Sequence, residues 1–159
     1  AIGGPFTLAD QTGRTVHDTD YRGRMMLISF GYTTCPDVCP TTLASISQAL
    51  DDLGADAERV QPLFITIDPA RDTPEALAAY MPNFHPSLIG LTGTQAQIAA
   101  VAKAYKVYYA KAGGAAEGED YLMDHSTMVY LMGPDGRLLT YLPNAMDPDA
   151  LAARIREYL

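Results

Sequence analysis

Cys35 and Cys39 are the two cysteines of this 159-residue chain, and they stand four positions apart in the run Phe30-Gly31-Tyr32-Thr33-Thr34-Cys35-Pro36-Asp37-Val38-Cys39-Pro40. On a helix, residues at i and i+4 share a face with Cβ atoms roughly 5–6 Å apart, so both sulfurs can address one object. Thiolates ligate soft metal ions and attack disulfides, so that object is a metal or an oxidant. Proline is tolerated only in the first turn of a helix, so Pro36 and Pro40 start the helix near Pro36 or Asp37. Cys39 then falls in the first turn and Cys35 just outside it. The helix dipole and free N–H groups favour a thiolate there, so both cysteines are expected to ionise more readily than an ordinary thiol. A disulfide closing so short a loop would constrain the unfolded chain little, which makes the pair reactive rather than a structural staple.

A third ligand must come from elsewhere in the chain. Of the three histidines, His17 sits in an N-terminal hairpin region and His85 in a loop between Phe84 and Pro86, and both read as surface residues. His125 differs, because it follows Tyr121-Leu122-Met123-Asp124 and precedes an apolar strand. Two thiolates and one imidazole suit Cu(I), for which three ligands are a natural number, whereas structural zinc usually takes four. An open fourth position would admit a ligand from water or a partner, as metal transfer requires. Asp124 is a candidate to orient His125, although adjacent strand residues point to opposite faces. The seven methionines form no Met-x-x-Met cluster and read as core filler. Asp68-Pro-Ala-Arg-Asp-Thr-Pro74 reads as a strand exit and helix cap that could bring Asp68 or Arg71 beside the cysteines.

The elements that must position these groups are legible as alternating apolar runs. Phe6 to Leu8 and Thr15-Val16 flank a Gly13-containing turn and read as a hairpin. Arg24 to Phe30 and Val60 to Ile67 have the length and continuity of strands buried on both faces. A helix follows the cysteines through Leu43, Ile46 and Leu50, and another starts at Pro74, capped either by Asp72 in capping-box spacing with Glu75 or by Thr73. Leu88 to Leu91 is a short strand, and Thr94 to Tyr105 has the alanine content of a helix. Lys111 to Asp120 reads as a mobile surface loop and candidate lid. Ser126 to Met132 and Leu138 to Leu142 flank the turn Gly133-Pro-Asp-Gly136, and Asp147 caps a closing helix with Pro148 at its first position. This order predicts an α/β fold, a thioredoxin-like mixed sheet flanked by helices, with an N-terminal β-hairpin and a C-terminal helix in one domain over residues 1–159. In such sheets, sites collect at the carboxyl ends of parallel strands, where the cysteines lie.

Composition removes other classes of partner. The net charge of −8, from 11 basic and 19 acidic residues, provides no footprint for nucleic acid or anionic lipid. No apolar stretch approaches the ~18 residues of a membrane span, and a chain opening at Ala1 reads as a mature or trimmed form.

Together, the Cys35-Pro-Asp-Val-Cys39-Pro corner with its aromatic-Gly lead-in, the Asp68-to-Pro74 segment and Asp124-His125-Ser126 resemble the Sco/SenC family of copper proteins. The resemblance spans most of the chain and is specific in combination. It implies a copper chaperone of thioredoxin-like fold that binds copper, as Cu(I) and in some states Cu(II), through Cys35, Cys39 and His125, with the cysteines also able to form a redox-active disulfide. It implies a role in assembling the binuclear copper centre of cytochrome c oxidase, with the copper-bearing oxidase subunit as partner and a second copper chaperone as a further one. It also implies tethering by an N-terminal segment, either in the bacterial periplasm, towards which the compact N-terminus leans the reading, or in the mitochondrial intermembrane space.

The alternative on the same fold is a thiol-disulfide oxidoreductase that reduces the cysteines of a partner copper site. Its usual motif has two intervening residues rather than three, and simple exchange gives His125 no role. Val38-Cys-Pro-Thr41 also resembles the peroxidatic segment of peroxiredoxins, but that family places Thr or Ser three residues before its reactive cysteine, where this chain has Pro36. A non-enzymatic binding module on this fold is the remaining alternative.

Overall fold

The computed structural model describes residues 2–35, 38–111, 123–125, 128–143 and 146–159, with the backbone alone at Val38, Lys111 and Asp124. The chain opens with an antiparallel hairpin of β1 (Thr7–Asp10) and β2 (Thr15–His17), then enters β3 (Met25–Gly31), whose seven residues are all buried. Helix α1 (Val38–Leu53) leads to β4 (Val60–Thr66), also buried throughout, and then to α2 (Pro74–Tyr80), β5 (Ile89–Thr92) and α3 (Gln95–Ala104). Two short strands follow, β6 (Tyr109–Lys111) and β7 (Met123–His125), before β8 (Met128–Met132), β9 (Leu138–Pro143) and α4 (Pro148–Arg156).

Seven strands form one sheet in the order β2-β1-β5-β4-β3-β8-β9. The three central strands β5, β4 and β3 are parallel; β1 and β8 flank them antiparallel, and the edge strands β2 and β9 pair antiparallel with β1 and β8 in turn. A strand covered on both faces reads as a continuous apolar run, and the two-residue alternation then sorts its side chains between two cores. Met26, Ile28 and Phe30 of β3 join Leu63, Ile65, Leu91, Ile98 and Val101 on the α3 side. Met25 and Leu27 join Leu43, Ile46, Leu50, Phe64, Leu151 and Ile155 on the side covered by α1, α2 and α4. Fully burying each such side chain contributes about 1.5–3 kcal/mol, so β3, which delivers the cysteine corner, is held firmly along its whole length, as is its neighbour β4. This is the thioredoxin-like mixed sheet expected from the order of the runs.

Local signals set the helix starts. Thr73 caps α2 by accepting from Ala76 N, Thr94 and Gln97 form a capping box on α3, and Asp147 caps α4 by accepting from Asp149 N and Ala150 N. The Asp72 cap does not occur: its carboxylate turns into the protein instead. Gly136 takes a φ of +84° in the β8–β9 turn, a left-handed conformation that glycine adopts without strain. The Lys111-to-Asp120 loop, apart from Lys111 itself, lies outside the described residues, as does the start of the strand expected from Ser126. The sequence reading contained no counterpart to β6 and β7. They pair only with each other among the described strands, with Tyr109 opposite His125.

Candidate metal centre

Strand β3 ends at Gly31, and α1, which begins at Val38, brings Cys39 into its first turn, so both cysteines lie at the carboxyl edge of the parallel strands. The apolar stripe of α1 packs Leu43, Ile46, Leu50 and Leu53 into one core, whereas Cys39, one turn earlier, joins the opposite core with Phe30, Tyr32 and Tyr105. That placement buries Cys39 to 3 % exposure, whereas Cys35, ahead of the helix, is only half-buried. Both are free thiols. Cys39 N donates to Cys35 Sγ at 3.4 Å, and His125 Nε2 lies 3.6 Å from Cys39 Sγ. The two sulfurs and an imidazole nitrogen all fall within 4.8 Å of one another. This is the one such group of three donors among the described residues.

Cys39 differs electrostatically from the sequence expectation. Burial pushes the Cys39 thiol well above its ordinary range, reinforced by its contact with Cys35 and only partly opposed by the Tyr32 backbone N–H. Desolvation of the charged form outweighs the favourable helix terminus, because the aromatic core that surrounds Cys39 also removes it from water. The metal-free pair therefore holds the Cys39 proton, and a metal ion must displace it.

Space for the sulfur is made by Gly31. A Cβ at that position would lie 2.5 Å from Cys39 Sγ and 3.0 Å from Phe64 Cε1, so any side chain there collides with a ligand atom. The corner is tied down by Asp72, 1 % exposed, whose carboxylate accepts from Thr33 N at 3.0 Å, Thr33 Oγ1 at 2.5 Å and Thr66 Oγ1 at 2.7 Å. Asp72 thereby joins the loop carrying Cys35 to the end of β4. In the sequence Asp72 is one of two cap candidates for α2, beside Thr73, which takes the cap. The available signal was a second acid in a segment leaving a buried strand, which is too common to separate a cap from a buried anchor.

The remaining candidate residues divide clearly. Asp68 is buried and pairs with Arg71 at 2.5 Å, and the Arg71 guanidinium lies 5.6 Å from the ring centre of Tyr32. Asp68 also lines a cavity of about 280 Å³ with Tyr109 and Met123, so it stands beside the histidine strands and is absent from the three-donor group. The side chain of Asp124 lies outside the described residues. His17 is exposed and bonded to Thr7 Oγ1, while His85 accepts from Ser87 N at 3.1 Å and lies 3.6 Å from Asp51, so neither joins the cysteines. Tyr80 contributes a buried hydroxyl with no hydrogen-bond partner among the described residues, and its phenol is pushed up by burial and by the neighbouring Cys39 and Cys35.

Two sulfurs and one imidazole nitrogen can hold a soft metal ion in three-fold coordination, and the sulfurs can alternatively join in a disulfide. Known proteins carry the same architecture. The chain is 45 % identical over 160 residues to the human mitochondrial SCO1 homolog, covering 99 % of this chain and 53 % of that protein. It spans 53 to 60 % of the length of the human SCO1, bovine SCO2 and yeast SCO2 proteins it matches. The solved structure of Bradyrhizobium japonicum ScoI with copper bound superposes with a TM-score of 0.91 and 46 % identity, covering all of both chains. That of BsSco, described as carrying a disulfide switch and as a member of the Sco family of cytochrome c oxidase assembly proteins, superposes with a TM-score of 0.76 and 25 % identity over 98 % of this chain and 92 % of that one. The SCO1/SenC sequence profile matches residues 1–159 from end to end, and the chain belongs to the SCO1/SenC family.

Proposed function

We propose that this protein is a copper chaperone that holds copper through Cys35, Cys39 and His125 and serves the assembly of the binuclear copper centre of cytochrome c oxidase, acting as one domain over residues 1–159. The convergence of Cys35 Sγ, Cys39 Sγ and an imidazole nitrogen within 4.8 Å carries this reading. The donor set fits: soft thiolates select Cu(I), and imidazole adds a ligand acceptable to Cu(I) and Cu(II) alike. Copper enters as cargo. The half-buried Cys35 and His125 face the side from which a copper donor or the copper-bearing oxidase subunit would approach, while Cys39 sits deeper. The family includes mitochondrial and bacterial members, and we place this protein in the bacterial periplasm, tethered to the inner membrane. Among the described residues, no helix is long and apolar enough to cross a membrane, so the tether would be a separate segment.

The test is titration of fully reduced protein with Cu(I) under a competing chelator. One tightly held copper per chain is expected, with tight binding lost in Cys35→Ala and in Cys39→Ala; unchanged stoichiometry in either variant would sink the reading.

The approach of Cys39 N to Cys35 Sγ favours a second use of the same sulfurs. A partner disulfide would be reduced to two thiols while Cys35 and Cys39 join, their two electrons and two protons passing to the partner. The internal disulfide removes both thiolate ligands, so this reaction and copper binding exclude each other on one molecule. An insulin-type reduction assay beside the copper titration separates them, because strong copper binding with little turnover identifies the chaperone.

A further inference from the structure

Tyr32 meets every donor residue of the proposed copper site. Its carbonyl accepts from Cys35 N at 3.2 Å, and its backbone N–H is directed at Cys39. Its ring packs edge-on against the His125 imidazole, with centroids 5.9 Å apart at 86°. Its phenolic oxygen accepts from Met123 N at 3.0 Å, two residues before His125 on the same strand. The residue is 2 % exposed, and the Arg71 guanidinium, itself held by Asp68, stacks over its ring.

We infer that Tyr32 is a positioning residue whose hydroxyl and ring set the reach of His125 towards the cysteine pair. An isolated two-stranded hairpin is marginal in water, and among the described strands β6 and β7 pair only with each other. Strand β7 therefore takes its distance from the cysteines from contacts made outside its own pair. The Met123–Tyr32 hydrogen bond is such a contact, and it is made to a side chain whose backbone holds the cysteine corner. The two halves of the site are thus referred to one residue at the mouth of the rigid strand β3. Because Met123 and His125 are two apart on a strand, their side chains share a face, and fixing the Met123 amide fixes the direction in which the imidazole leaves the backbone.

This inference rests on the reading of His125 as a ligand, and its test separates the two. Tyr32→Phe removes only the hydroxyl and keeps the ring. Cu(II) would be titrated into reduced Tyr32→Phe, His125→Ala and the double variant, following the sulfur-to-copper absorption and the electron paramagnetic resonance signal. Loss of one hydrogen bond corresponds to about a five- to tenfold weaker affinity for Tyr32→Phe, with spectra displaced towards those of His125→Ala. In the His125→Ala background, Tyr32→Phe should change affinity by less than about twofold. Equal losses in both backgrounds, or none in the native background, overturn the inference. If His125→Ala leaves affinity and spectra unchanged, the ligand assignment fails first, and the role of Tyr32 fails with it. A copper-free measurement stands beside this one. Amide hydrogen exchange at Met123 should speed up about tenfold in Tyr32→Phe, and an unchanged rate overturns the inference.

Discussion

The two halves of the candidate copper site are built from unlike material. The cysteine half rises from β3, flanked by β4 and β8, sealed on both faces by helices and locked by the buried Asp72 carboxylate. The histidine half rides on a two-stranded ribbon outside the main sheet, with His125 only half-buried. In the first, position follows from the core, and a displaced sulfur would disturb close-packed side chains. In the second, position follows from a few polar and aromatic contacts at Tyr32. The difference bears on the proposed carrier role, in which the thiolates would retain the ion while the imidazole, on the less constrained arm, would yield its place to an incoming ligand.

The sharpest way to break this contrast is to disturb the rigid half where it has no slack. Gly31→Ala places a methyl group against Cys39 Sγ and Phe64. Cu(I) affinity measured by chelator competition should fall about as far as in Cys39→Ala, although the substitution leaves every ligand in place; affinity near the native value would show that the sulfur can move aside. Asp72→Ala leaves Thr33 N, Thr33 Oγ1 and Thr66 Oγ1 without their acceptor, and denaturant unfolding of the apo protein should register a loss of about 2–4 kcal/mol. No loss would mean that the corner is held by the core alone.

Disturbing the histidine arm should cost binding and spare the fold. His125→Ala is expected to weaken Cu(II) binding at least about tenfold, the smallest loss typical even of groups that only orient a ligand, while the apo unfolding midpoint stays within about 2 °C. A large drop in apo stability would instead make the ribbon part of the structural core.

The smallest effect is on pH. Burial pushes Tyr21 up to about 12 and drives Tyr80 and Tyr105 upward as well. These phenols are protonated in the folded protein at pH values where the unfolded chain has begun to lose their protons, so the folded state binds more protons and stability falls as pH rises. The contribution is fully present below pH ~10, the phenol's ordinary value, and fades as pH climbs from there through the folded values. Apo unfolding followed from pH 8 to 11 should show this decline beginning near 10, and a flat profile would contradict the burial of these side chains.

The residues themselves carried the strand-and-helix order. Continuous apolar runs at Met25 to Phe30 and Val60 to Ile67 announce strands covered on both faces, and Pro74, Thr94 and Asp147 mark the helix starts, because these signals are local. The ribbon of β6 and β7 is not legible in the sequence, since two three-residue strands far apart in the chain have neither a detectable alternation nor the short glycine turn that marks the β1–β2 hairpin. Tyr32 stood in the motif without a role, as nothing in Gly31-Tyr32-Thr33 says that the phenol will reach a strand some ninety residues downstream.

The sequence by itself determined the chemistry available, two thiols four apart at a proline-bounded helix start and a histidine ahead of an apolar strand, because donor type and helical spacing are local properties. Only the tertiary structure decided that the imidazole meets the sulfurs, that Cys39 is a buried and reluctant acid, and that Gly31, Asp72 and Tyr32 hold the donors in place. Each of these depends on which surfaces water is excluded from and which distant groups are packed together, and those are fixed by burial of the whole sheet rather than by any one segment.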